Sequence, residues 1–179
     1  MIRKLLAAIA LAALLPLATA HAAETSLGNP IVKDHMIVHA VYLQPVSMSP
    51  VLPGLESDPA HSDVHLEADI HADKNEPHGF QPGEWIPYLT VSYLLQKQHS
   101  DWQDFGTFMV MEADDGPHYG ANVKLDGPGK YTLSLKIKPP PYAAFFRHTS
   151  KDTGVPPWWK PFTVSWIFVW AGNGKLGGY

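Results

Sequence analysis

The sequence predicts an all-β chain, an immunoglobulin-like antiparallel β-sandwich, and three observations carry that expectation. Its 17 prolines and 14 glycines interrupt the chain so often that few helix-length intervals survive. The runs between these breakers alternate apolar and polar residues with a period of two, the pattern of strands with one buried face. About seven such runs, spaced by turn signals, suit two packed sheets better than a closed barrel, the second choice.

Taken in order, His35–Leu43 ("HMIVHAVYL") is the first strand, and "VSMSPVLPGLESDPAHS" after it is a Pro-rich loop or short helical turn. "DVHLEADIHA" puts Val64, Leu66, Ala68 and Ile70 on one side and His65, Glu67, Asp69 and His71 on the other. "WIPYLTVSYLLQ", "FGTFMVME", "HYGANVKL" and "KYTLSLKIK" follow as strands. In the last strand, "PFTVSWIFVW", the residues Phe162, Val164, Trp166, Phe168 and Trp170 share a face. Three prolines end "KYTLSLKIKPPP", since a proline cannot donate to a ladder, so the next stretch, with Arg147 and His148, is an irregular loop over one end of the sandwich.

The opening "MIRKLLAAIALAALLPLATAHAAE" places Arg3 and Lys4 before an apolar run and small residues after it, the layout of a secretory signal peptide cleaved near Ala22 or Ala23. Residues 1–23 are therefore expected to be the signal and residues 24–179 one metal-binding sandwich domain, exported to a periplasm and not inserted in the membrane. Cysteine is absent, so the exported chain must be stable without disulfides and any metal must be held by His, Met, Asp or Glu. The net charge of −4 and the lack of a basic cluster argue against nucleic acid as a partner.

Six of the ten histidines fall between His61 and His118. On "HLEADIH", two imidazoles and two carboxylates share a strand face with no Lys or Arg among them. A solvated outer face is the simplest reading of such a strand, and convergence of its donors on a cation is the alternative. "MEADDGPHYGAN" poses the same choice. Alternation puts Phe105, Thr107, Met109 and Met111 on one side, where a methionine is by default a core filler. The turn "DDGP" also brings His118 back toward Met111, so that thioether and imidazole can face one metal. Asp114 and Asp115 serve the turn, and one of them can orient a ligand histidine. Imidazole and thioether without thiolate favour copper; added carboxylate would tolerate Fe(II), Mn(II) or Zn(II). No nucleophile elbow, zinc-protease helix or phosphate loop is present, so an enzyme is not expected.

"AVYLQPVSMSP", "DVHLEADIHADKNEPHGF", "WIPYLTVSY", "MEADDGPHYGANV" and "RHTSKDTGV", in this order, resemble the periplasmic proteins that accompany a bacterial high-affinity iron permease, a family that includes treponemal metal-binding lipoproteins. The likeness runs from about Ile37 to Trp170. It implies an immunoglobulin-like sandwich, a homodimer, copper binding and service to an inner-membrane iron permease. It also implies His65, Met111, His118 and His148 as copper ligands, Glu67 as the carboxylate of a second or shifted metal position such as one for iron, and Asp115 as an acidic neighbour. Glu112 stands where the family has an apolar residue, and on the strand it faces away from Met111. His61, His71, His78 and His99 gain nothing from the resemblance and are expected at the surface. Two other functions compete: a copper chaperone or resistance protein unrelated to iron, and a glycan- or protein-binding module using Trp158 and Trp159, which are more simply core or dimer-interface residues.

Overall fold

The computed structural model describes residues 24–51 and 58–172, so the signal-peptide expectation lies outside the described residues. The strands are β1 (Thr25–Ser26), β2 (Ile31–Lys33), β3 (Met36–Leu43), β4 (Val64–Ala72), β5 (Thr90–Lys97), β6 (Gln103–Thr107), β7 (Met109–Ala113), β8 (Gly116–Val123), β9 (Gly129–Lys138) and β10 (Phe162–Trp170). They form two antiparallel sheets. One runs β1-β3-β4-β8-β7, with β2 also paired to β3, and the other runs β10-β9-β5-β6. Among the described residues there is no α-helix, only 3-10 turns at Pro59–His61 and Pro140–Ala143, the second at the prolines that end β9.

The core lies between the sheets and is built from the alternating positions. Leu66, Ala68 and Ile70 of β4 and Met36, Val38 and Ala40 of β3 face Leu133, Leu135 and Ile137 of β9, all fully buried. The aromatic face of β10 closes the far side, with Phe162, Val164, Trp166, Phe168 and Trp170 each buried. Tyr119 crosses the core: its hydroxyl donates to the Ile86 carbonyl at 2.8 Å and accepts from the Leu89 amide at 3.0 Å. The bonds tie β8 to the segment that leads into β5.

One predicted strand divides. "FGTFMVME" is β6 followed by β7, on different sheets: β6 pairs with β5, and β7 pairs with β8. Phe108 between them is 5% exposed, stacks on Tyr93 and donates its N–H to the Val91 carbonyl. Its ring drops into the core while the chain passes from one sheet to the other. The alternation is unbroken, but its meaning changes at the crossing. Phe105 and Thr107 face outward on one sheet, and Met109 and Met111 lie on the outer side of the other. Met111 is therefore not a core filler.

Candidate metal centre

The site lies on the outer face of the larger sheet, where strand register does the assembling. In β4 and β8, His65 lies opposite Asn122 and Glu67 opposite Gly120; in β7 and β8, Met111 lies opposite His118 and Met109 opposite Gly120. Directly opposed residues of antiparallel strands share a face. Five strand positions thus put His65, Glu67, His118, Asn122 and Met111 on one patch.

The patch is not the solvated face that an isolated strand would suggest. His65 is 0%, His118 4% and Glu67 6% exposed, because the chain from Leu43 to Ser49 folds back over them. Asn122 holds that cover in place: its Oδ1 accepts the Val46 N–H at 3.1 Å and its Nδ2 donates to the Val46 carbonyl at 2.8 Å. This pair of bonds fixes which end of the amide is oxygen. The same Oδ1 lies 2.9 Å from Nδ1 of His65, so Nδ1 is the protonated nitrogen and Nε2 keeps its lone pair.

That lone pair has no protein partner. Nε2 of His65 and Nε2 of His118 are both buried without a hydrogen bond, and the nearest acidic oxygen to each is Oε1 of Glu67, at 3.5 and 3.4 Å. Ligand-type atoms of the three residues all lie within 4.8 Å of one another. Buried imidazole nitrogens are rarely left unbonded, so their convergence on one carboxylate marks a place for a cation. Gly120 makes the space: a Cβ at this position would lie 2.7 Å from Nε2 of His65. A cleft of about 700 Å³ opens at the cluster, lined by Glu67, His118 and Met111 and by Met48 and Ser49 of the covering segment.

Burial also sets the charge states. It pushes the His65 imidazole down to about 4, against a smaller upward pull from its bond to Asn122. Burial pushes the Glu67 carboxyl up to about 8, helped by the nearby carboxylates of Glu24, Asp69 and Asp115. Glu24 and Asp69 are raised for the same first reason. Without a cation the pocket therefore holds a neutral imidazole and a protonated carboxyl.

Of the residues expected at the site, the fold brings together His65, Glu67, His118 and Met111. His148 is exposed in the loop after β9, its Nδ1 3.2 Å from Thr153 Oγ1, and it does not line the cleft of its own chain. Asp115 is close enough to help raise the Glu24 carboxyl, which makes it a neighbour of the acidic side of the site. For His65 the orienting group is Asn122. Asn122 and Met48 were missed; two-residue alternation from His118 through Gly120 was the available signal for Asn122. Among the histidines expected at the surface, His61 is, with its side chain 85% exposed, but His78 is not, at 5%. Trp158 and Trp159 are half-buried and pack on His78.

No helix of the described residues is long and apolar enough to cross a membrane. The profile of a family described as Fe2+ transport protein matches residues 21–172. A UPF0423 protein of Brucella abortus (strain 2308) is 51% identical over 163 residues, covering 89% of this chain and 88% of the relative. The 34 kDa membrane antigen of Treponema pallidum is 40% identical over 140 residues, 75% of this chain and 68% of that protein. Among solved structures, a copper-bound glutamate-to-glutamine variant of FetP from uropathogenic Escherichia coli strain F11 is similar at a TM-score of 0.81 and 49% identity, covering 84% of this chain and 99% of that one. A copper-bound aspartate-to-histidine variant of the P19 protein of Campylobacter jejuni is similar at a TM-score of 0.81 and 42% identity, covering 86% of this chain and all of that one.

Proposed function

The chain belongs to the Fe2+ transport protein family, and we propose that it is the periplasmic metal-binding component of an iron-uptake system. In this reading His65, Met111, His118 and His148 hold copper, Glu67 admits a second ion such as iron, and the metal passes to an inner-membrane permease. Residues 1–23 direct export and are removed.

The observation that carries the reading is the pair of buried, unbonded Nε2 atoms meeting at Glu67. The donor set fits the metal. Imidazoles beside a thioether, with no thiolate in the chain, suit copper, and the carboxylate adds a hard ligand for iron, with manganese or zinc able to substitute. His65 is held in the ligating tautomer by Asn122, and low basicity keeps its lone pair free of protons. Glu67 keeps its proton until a cation replaces it, so uptake is coupled to proton release. A weak thioether and a carboxylate that can reprotonate give a site that lets metal go as well as take it up.

His148 stands outside the cleft of its own chain, and a homodimer would let a second copy contribute it; the copper-bound relatives support a metal role at this fold. The test is competitive titration of the metal-free mature protein with Cu(II), Cu(I), Fe(II), Mn(II) and Zn(II), repeated on Met111→Leu and His148→Ala. Tight copper binding that weakens at least tenfold in both variants is expected. Unchanged binding in both would remove Met111 and His148 from the ligand set.

A further inference from the structure

We propose that His78, gripped by Glu76 and Trp158, is the anchor that fixes the His148-bearing segment on the body of the sandwich and thereby positions His148 for the metal; the affinity half of this rests on the ligand set proposed above. The site as described does not use these residues. Yet Glu76 and His78 form a buried pair, their side chains 2% and 5% exposed. Oε1 of Glu76 lies 2.5 Å from Nδ1 of His78, and its Oε2 accepts the backbone N–H of His78 at 2.8 Å and of Phe80 at 3.2 Å. The carboxylate is thereby oriented from two sides.

The other edge of the ring turns away from Glu76 toward the late loop. Nε2 of His78 lies 3.3 Å from the Pro157 carbonyl oxygen. A carboxylate and a carbonyl both accept, so each ring nitrogen of His78 is aimed at an acceptor, one on each side of the ring. The flat ring also packs on indole: Trp158 stacks on His78 with centroids 4.5 Å apart and planes at 14°, and Trp159 meets it edge-on at 5.5 Å. One side chain thus joins the loop after β4 to residues 157–159.

What this grip controls follows from how the segment is built. Residues 144–161 pair with no strand of either sheet, so no ladder sets their position. They are tied to each other instead. Arg147 donates to the Val155 carbonyl at 2.8 Å, the Val155 amide donates to the His148 carbonyl at 3.2 Å, and the Gly154 amide donates to Ser150 at 2.7 Å. The two ends meet where Phe145 touches Trp158, at 6.2 Å between centroids. Phe145 stacks on Tyr88 of the body at 4.7 Å, and Trp158 stacks on His78. The segment is therefore held to the body at Phe145, at Trp159, which packs against the core, and at His78, the contact that also carries polar bonds. Loosening it leaves the ligands of the cleft intact and dilutes the fraction of molecules in which His148 is correctly placed. If that fraction falls to about one in ten, apparent affinity falls about tenfold.

The experiment compares the wild-type protein, His78→Leu, His148→Ala and the double variant by hydrogen exchange of residues 145–159 and by Cu(II) titration with electron paramagnetic resonance. Trp158→Ala, which keeps the Glu76 bond and removes the stack, stands in if His78→Leu does not fold. Expected are exchange at least tenfold faster in the segment and not in β4 or β8, about tenfold weaker Cu(II) binding, and a Cu(II) spectrum shifted toward that of His148→Ala. In the His148→Ala background the same change should alter Cu(II) affinity less than twofold. Unchanged exchange would overturn the anchor. An affinity loss of the same size in both backgrounds would overturn action through His148. If His148→Ala by itself leaves Cu(II) affinity and spectrum unchanged, the ligand assignment and the affinity half fail together, and exchange decides the anchoring half separately.

Discussion

His65 shows how little of a proposed ligand's behaviour resides in the side chain itself. Its free Nε2 depends on an amide fixed by the Val46 peptide, and its low basicity on being wholly buried. Replacing Asn122 with Ala removes the bond to His65 and two bonds to Val46. Loss of about 1–3 kcal/mol in denaturant-measured stability is expected, with copper binding weaker by roughly 10–100-fold. Glu67 works in the opposite direction. Its folded carboxyl keeps a proton up to about 8, whereas the unfolded chain releases it near the ordinary 4.5, so metal-free stability falls as pH rises through that window. The cost reaches on the order of 3 kcal/mol at pH 7. Glu67→Gln should therefore raise the melting temperature of the metal-free protein at pH 8 and change it little at pH 4.5. It should also abolish the proton released on copper binding, followed with a pH indicator in weak buffer. His65 adds the acid limb. The unfolded chain takes up a proton below 6.5 and the folded one not until about 4, so stability also drops as pH falls between these values.

At the scale of elements, β8 is the strand on which the site is written. His118, Gly120 and Asn122 alternate along its outer face as proposed ligand, gap and orienting amide, while Tyr119 on the inner face bonds across the core. Gly120→Ala would drive a methyl into Nε2 of His65 and into the Leu66 carbonyl, 2.9 Å away. Copper binding should fall at least tenfold while the far-ultraviolet strand signal persists, both measurable on one purified sample. The β6 to β7 crossing is the other decisive element, because it puts Met111 beside His118 and not between the sheets. Phe108→Ala should cost about 3–5 kcal/mol in equilibrium unfolding, the range for a buried aromatic. A cost under 1 kcal/mol would mean that the crossing does not depend on this ring. Alternation made β3, β4, β5, β8, β9 and β10 legible in advance. It could not show the crossing, since a strand that changes sheet at a core-facing residue keeps its period of two.

For the whole molecule, one sheet's inner face makes the core and its outer face makes the candidate site, so the core and the proposed ligands are alternate residues of the same strands. The periodic runs and the missing cysteines were enough to settle that this is an all-β chain and that any metal must sit on imidazole, thioether or carboxylate, because both are local properties of the chain. His65 and Glu67 were readable as a pair from their spacing, and Met111 and His118 from the turn between them. Tertiary structure alone decided that this face is covered, which nitrogen of His65 is free, that Met111 lies outside the core, and that His78 is buried under the tryptophans while His148 is exposed. Each of these turns on contacts between segments far apart in the chain: Val46 with Asn122, Phe108 with Val91, His78 with Pro157. A sequence states which side chains share a face, and only packing states what lies against that face.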